Sequence, residues 1–123
     1  MSRGIRISFG EVIVEGQLHE TPTATLIWKA LPIEGGVHLW GEEIYFTIPV
    51  EAALDDTARV VVKRGDLGYW PLGQAFCIFF GPTPVSQSDE IRAASAVNIV
   101  GTITGDLQAF KRATEGVIVR LER

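Results

Sequence analysis

Glu42 and Glu43 stand directly before Ile44, Tyr45 and Phe46, in a run (GEEIYFTIP, 41–49) rich in aromatic and β-branched residues. Successive side chains of a strand face opposite ways, so Glu43 joins Tyr45 while Glu42 shares the face of Ile44 and Phe46. A carboxyl held against Trp40 or Tyr45 loses solvation. Its pKa then rises, and it can give or take a proton near neutral pH. Glu43 with Tyr45 is the pair placed for acid–base work. The alternative is a solvated pair of carboxylates at the start of a strand, answering an arginine.

Tyr69-Trp70-Pro71 presents aromatic surface where a strand enters a turn. Such surface suits a peptide or a flat small molecule, and equally suits packing at the end of a barrel. Phe76, Ile78 and Phe80 alternate with Cys77 and Phe79, so one of these faces is core and the other is free to line a groove. Thr83 and Ser86, beside the stiff Gly81-Pro82-Thr83-Pro84 segment, can hydrogen-bond an anionic or carbonyl ligand or simply close the barrel. Cys77, in an apolar strand with no basic neighbour, reads as a small buried hydrophobe rather than a nucleophile. His19, His38 and one cysteine show no zinc spacing, and no GxSxG, GxGxxG or GK[ST] run occurs. Neither a metal nor a cofactor is expected.

The elements that must hold these residues are mostly strands. Ile5, Ile7 and Phe9 alternate with polar residues, Gly10-Glu11 turns the chain, and Val12-Ile13-Val14 returns it as a hairpin. Thr21-Pro22 is an N-cap followed by a first-turn proline; Leu26, Ile27, Ala30 and Leu31 recur at helical spacing until Pro32, predicting a helix of roughly ten residues. Strands are predicted over 41–49, Val60–Val62, Leu67–Trp70, Ala75–Phe80, Val97–Ile103 and Val117–Leu121. Gly81 to Glu90 reads as a loop, and Asp106 caps a short helical turn carrying Leu107, Phe110 and Ala113. Roughly seven or eight short strands with two short helices make an all-β barrel or sandwich, not a parallel α/β sheet.

The 123 residues form one predicted domain, 1–123, 46% apolar and 21% charged. Such a chain buries ~65–70% of its unfolded surface and needs no disulfide or metal to fold. Eleven basic against fifteen acidic residues give a net charge of −4, and no basic run exceeds Lys63-Arg64. A phosphate-backbone binder needs a clustered positive face, so nucleic acid is not an expected partner. The Met1-Ser2-Arg3-Gly4-Ile5 start shows no signal-peptide pattern. No apolar run approaches the ~18 residues of a membrane span, so no membrane partner is expected. A lone Cys77 suits a reducing compartment, and a cytoplasmic location is expected.

Longer stretches carry a family resemblance. Gly10 to Leu31 (GEVIVEGQLHETPTATLIWKAL) resembles the second strand and first helix of the cyclophilin fold, with Pro22, Trp28, Lys29 and Ala30-Leu31 at matching places. Gly65 to Phe80 is similar to that family's GxLxxA stretch and Phe-Phe strand. Val97 to Thr114 resembles its xVVFGxVxxG strand and closing helix. GEEIYFTIPV, GDLGYWPLGQAFCIFFGPTPVS and ASAVNIVGTI look like a compact prokaryotic branch of small single-domain cyclophilin-like proteins, mostly without an assigned function. The resemblance implies a cyclophilin-like eight-stranded β-barrel, closed or partly open, with two short helices.

It also implies a pocket that cradles a proline ring, with Phe79 or Phe80 as its wall. The family's catalytic arginine should fall between Glu34 and Pro49, where this chain has neither Arg nor Lys. The glutamine a few residues later is missing, as is the tryptophan expected between Gly81 and Gly101. The pocket histidine falls on Val97, or on Asn98 if the register slips by one. Losing one preorganised donor costs ~10²–10³ in rate, and several are replaced together.

Three functions follow as expectations. The first is a binding domain for a peptide or small ligand, with Trp40, Tyr45, Tyr69, Trp70 and Phe79 or Phe80 as walls and Glu43, Thr83 and Asn98 as polar contacts. The second is a prolyl isomerase with non-standard site residues. The third is a small-molecule enzyme using Glu43 as acid or base. Ligand identity and oligomeric state are left open.

Overall fold

Alternation in the first hairpin survives intact. In a computed structural model, which describes residues 3–123, Arg3–Phe9 (β1) pairs antiparallel with Val12–Leu18 (β2). Gly10 makes the turn at φ +54°, and Met1-Ser2, where the signal-peptide reading begins, lies outside the described residues. Ile5, Ile7 and Phe9 meet Val12, Val14 and Leu18 in the core. The helix α1, Pro22–Ala30, starts as predicted: Thr21 Oγ1 accepts from the Ala24 amide at 3.3 Å, with proline in the first turn.

Two short strands follow that propensity does not announce, Ile33–Gly36 (β3) and His38–Leu39 (β4). The remaining strands are Glu43–Thr47 (β5), Arg59–Val62 (β6), Asp66–Trp70 (β7), Ala75–Phe79 (β8), Ile91–Ile103 (β9) and Ile118–Glu122 (β10). A 3-10 turn at Pro71–Gly73 joins β7 to β8, and a 3-10 helix, Leu107–Arg112, is capped by Asp106 accepting from the Gln108 amide. Among the described residues there are thus ten strands rather than seven or eight. None of the helices there is long and apolar enough to cross a membrane.

The strands form one antiparallel sheet in the order β3-β10-β1-β2-β9-β7-β8-β5-β4, with β6 added to β9. The hydrogen-bonded path does not close. Its ends meet by packing: a Cβ on Gly35 of β3 would lie 2.9 Å from the Phe46 ring and 3.3 Å from the Thr47 carbonyl of β5. Glycine there lets the edge of one end lie on the other, making a partly open barrel. β9 begins at Ile91, earlier than the predicted Val97, because Val61 and Val62 of β6 pair with Arg92 and Ile91.

Two apolar layers result. The barrel interior holds the main core, including Ile44, Phe46, Leu67, Tyr69, Phe76, Ile78, Phe80 and Phe110. A second cluster, Val62, Cys77, Phe79, Ile91, Ala93 and Val97, packs on the outer face of β7, β8 and β9. Strand β8 is therefore buried on both sides, which is why its sequence is continuously apolar.

Candidate functional site

The site is built on that outer face. His38 pairs with Tyr45 and Leu39 with Ile44, so β4 and β5 form a hairpin. Trp40 and Glu43 close it, each amide donating to the other's carbonyl at 3.0 and 3.2 Å. Residues directly opposite in such a pair share a face, so the Trp40 and Glu43 side chains stand side by side. The two-residue turn between them begins with Gly41 at φ +60°, where any Cβ would also strike Pro82, Thr83 and Pro84 at 2.8–2.9 Å.

Register carries the face across the sheet. Glu43 lies opposite Phe79 and Tyr45 opposite Cys77. Cys77 in turn lies opposite Gly68, and Ala75 opposite Trp70. Trp70 therefore joins Tyr45 and Glu43 on the outside, whereas Tyr69, opposite Phe76, points in. Val97 and Phe79 pack against Gly68, whose added Cβ would sit 3.0 and 3.2 Å from them.

These residues enclose a cavity of about 210 Å³ lined by Trp40, Glu43, Tyr45, Trp70, Ala93, Ala94, Ser95 and Val97. Tyr45 and Trp70 stand edge to face, at 81° with centroids 6.1 Å apart. His38 backs Tyr45 at 5.2 Å and is itself held by Glu115, its Nδ1 2.9 Å from Oε2. The Trp70 indole N–H donates to Ser95 Oγ at 2.7 Å, which fixes the indole and spends its only donor.

Glu43 is 5% exposed, and burial pushes its carboxyl from the ordinary 4.5 up to about 7, although a hydrogen bond with the Cys77 thiol lowers it somewhat. Burial, reinforced by the Glu43 charge and by that hydrogen bond, drives the thiol well above its usual range. The thiol also points to the Ala75 carbonyl, 4.0 Å away. Glu43 at neutral pH is thus a mixture of acid and carboxylate. Cys77 stays a thiol, the small buried residue expected.

A family model described as cyclophilin-like matches residues 3–122. The chain belongs to the cyclophilin-like family. Among solved structures this cyclophilin-like chain is 39% identical to a hypothetical protein of Archaeoglobus fulgidus, with a TM-score of 0.82. That match covers 99% of this chain and 95% of the other. McbB, solved in complex with tryptophan, shares the fold at a TM-score of 0.72 and 18% identity, over 97% of this chain and 44% of McbB. No curated protein matches.

Of the residues singled out in the sequence, the cyclophilin-like fold brings Trp40, Glu43, Tyr45 and Trp70 together. It sends the others elsewhere, each for a visible reason. Tyr69 is core, its hydroxyl donating to the Val50 carbonyl at 2.7 Å and accepting from the Ala52 amide. Phe80 faces the barrel interior against Phe110, centroids 5.9 Å apart. Phe79 lies in the cluster beneath the cavity and does not line it. Asn98 is fully buried on the inner face. It donates to Thr23 Oγ1 and the Ala53 carbonyl and accepts from the Asp55 amide, pinning the 53–57 loop to α1.

Thr83 is also no wall. Its hydroxyl bonds the Arg92 carbonyl, while Ser86 Oγ accepts from both the Thr83 and Arg92 amides at 3.0 Å. The Glu42 amide donates to the Pro82 carbonyl at 2.8 Å, so this loop ties the Trp40–Glu43 turn to the start of β9. The far wall is Ala93-Ala94-Ser95, which was missed, with Val97, one of the two positions where the resemblance put the family's pocket histidine. The signal of the missed stretch in the sequence is a run of small residues where a strand must leave room beside two indoles. Neither Lys nor Arg lines the cavity, and among the described residues no cluster of His, Cys, Asp and Glu could hold a metal.

Proposed function

We propose that this cyclophilin-like domain binds a small, partly apolar organic molecule between Trp40, Tyr45 and Trp70, anchored on Glu43, and does not efficiently isomerise prolyl bonds. The observation that carries the reading is the convergence of three aromatic rings on one buried carboxyl in a single cavity. Binding sites are concave and mostly apolar, with a few placed polar groups, and this cavity has that make-up. Its ~210 Å³ is smaller than the ~300–1,000 Å³ typical of drug-sized ligands, which favours a small molecule over a long peptide.

Trp40 and Trp70 report on the cavity, while Trp28 lies elsewhere beneath the Arg123 guanidinium, 4.3 Å away. Under excitation selective for tryptophan, a Trp28→Phe protein therefore emits from the cavity alone. Titrated with a panel of small aromatic and alkyl compounds, tryptophan among them because the McbB structure holds it, the protein should give saturable changes that Trp70→Ala abolishes. A panel that produces none at millimolar concentration overturns the reading.

One observation favours a second reading, proton-transfer catalysis. A carboxyl titrating at about 7 is matched to general acid–base work at neutral pH. Under it, compounds that bind and carry an acidic C–H would exchange that hydrogen with deuterated solvent. Glu43→Gln would stop the exchange while leaving neutral ligands bound. No exchange above the uncatalysed rate in any bound compound removes this second reading.

A further inference from the structure

The polarity of the cavity narrows its ligand further. The Trp70 N–H is already committed to Ser95, and no Lys, Arg or His lines the walls. An anion would find no charged partner there. Aromatic faces carry negative potential, and Tyr45 and Trp70 form two adjacent walls nearly at right angles, with Trp40 beside the carboxyl as a third. The one group able to bear a full charge is Glu43. A ring face turned to the guest and the carboxylate therefore favour the same sign of charge.

The surroundings of Glu43 add nothing to cancel that. On β8 it lies opposite Phe79 and beside the Cys77 thiol, which stays neutral. On its own strand it faces Tyr45, and from β7 and β9 the facing groups are Trp70, Ala93, Ser95 and Val97. His38 of β4 sits behind Tyr45 and is engaged by Glu115. Glu42 turns the other way, 3.9 Å from Lys111.

We propose that the ligand carries an organic ammonium head, seated among Trp40, Tyr45 and Trp70 and neutralised by the Glu43 carboxylate. This rests on the reading of the cavity as a binding site and names the chemical class of what binds. A resident cation stabilises the ionised carboxyl, so binding expels the proton that Glu43 holds. Affinity then rises with pH, about tenfold between pH 6 and 8, as the carboxyl ionises.

Choline and its uncharged carbon isostere, 3,3-dimethylbutan-1-ol, make the test on the unaltered protein. Calorimetry at pH 7 in two buffers of different ionisation enthalpy counts protons. Choline should bind at least tenfold tighter than the isostere and release about half a proton, since the carboxyl titrates at about 7. Glu43→Gln should abolish both the preference and the release. If the isostere, or the neutral aromatic compounds of the panel, bind as well as choline or better, the ammonium proposal falls and the cavity remains a binding site. If neither choline nor any neutral compound binds, both fall.

Discussion

Glu43 concentrates the chemistry of this protein in one side chain. Its carboxyl binds a proton in the folded state at pH values where the unfolded chain has released it, with 4.5 as the unfolded reference and about 7 as the folded value. The associated stability is full below about pH 4.5 and is lost as pH rises through 7. Glu43→Gln, uncharged at every pH, should match the parent near pH 4.5 and exceed it at pH 8 by on the order of 2–3 kcal/mol. Denaturant melts at the two pH values check this, and equal gains at both would show a carboxyl that titrates normally. Asn98 is the contrasting polar residue, one whose bonds hold structure. Asn98→Ala removes the buried bond to Thr23 and the part-buried bonds to the Ala53 carbonyl and the Asp55 amide, so a loss of roughly 1–3 kcal/mol is expected in the same melts.

At the scale of elements, the cavity is the product of a hairpin, a loop and the strand β9. The Trp40–Glu43 turn sets one wall, β9 sets the other, and the Gly81–Pro84 loop bonds to both. Thr83 thus acts as a positioning residue. Thr83→Val keeps its shape and removes the hydroxyl, which should cost about 1–2 kcal/mol. It should also weaken binding of any cavity ligand while leaving the pH midpoint of Glu43 in place. A shifted midpoint would mean that the loop shapes the carboxyl's burial as well. Much of this scaffold was legible in the residues: the hairpin about Gly10, the capped helix from Pro22 and the Asp106 cap all follow from local chemistry. The strands at 33–36 and 38–39 were not, because Ile-Glu-Gly-Gly has no strand preference of its own. It becomes a strand when β10 pairs with it and Phe46 needs a glycine opposite.

For the whole molecule, the barrel of a cyclophilin-like family member is retained while the guanidinium expected of a prolyl isomerase is missing between Glu34 and Pro49. Crossing a barrier of ~18–20 kcal/mol needs donors aimed at the amide, and the cavity offers rings and a carboxyl instead. Isomerisation of a proline peptide at micromolar protein should stay at the uncatalysed rate. A rate that rises in proportion to protein concentration and disappears in Trp70→Ala would contradict this. The amino-acid sequence by itself determined the parity of the strands it announced, the helix and its ends, and the pairing of Glu43 with Tyr45 on one face. A period of two says which residues share a face but not which face is core. In β8, apolar on both sides, even that signal is mute. Only the closing sheet decided that Phe80 and Tyr69 point in, Phe79 lies beneath the cavity and Trp70 lines it. The reason is that burial depends on what packs across each face, and strands far apart in the chain supply it.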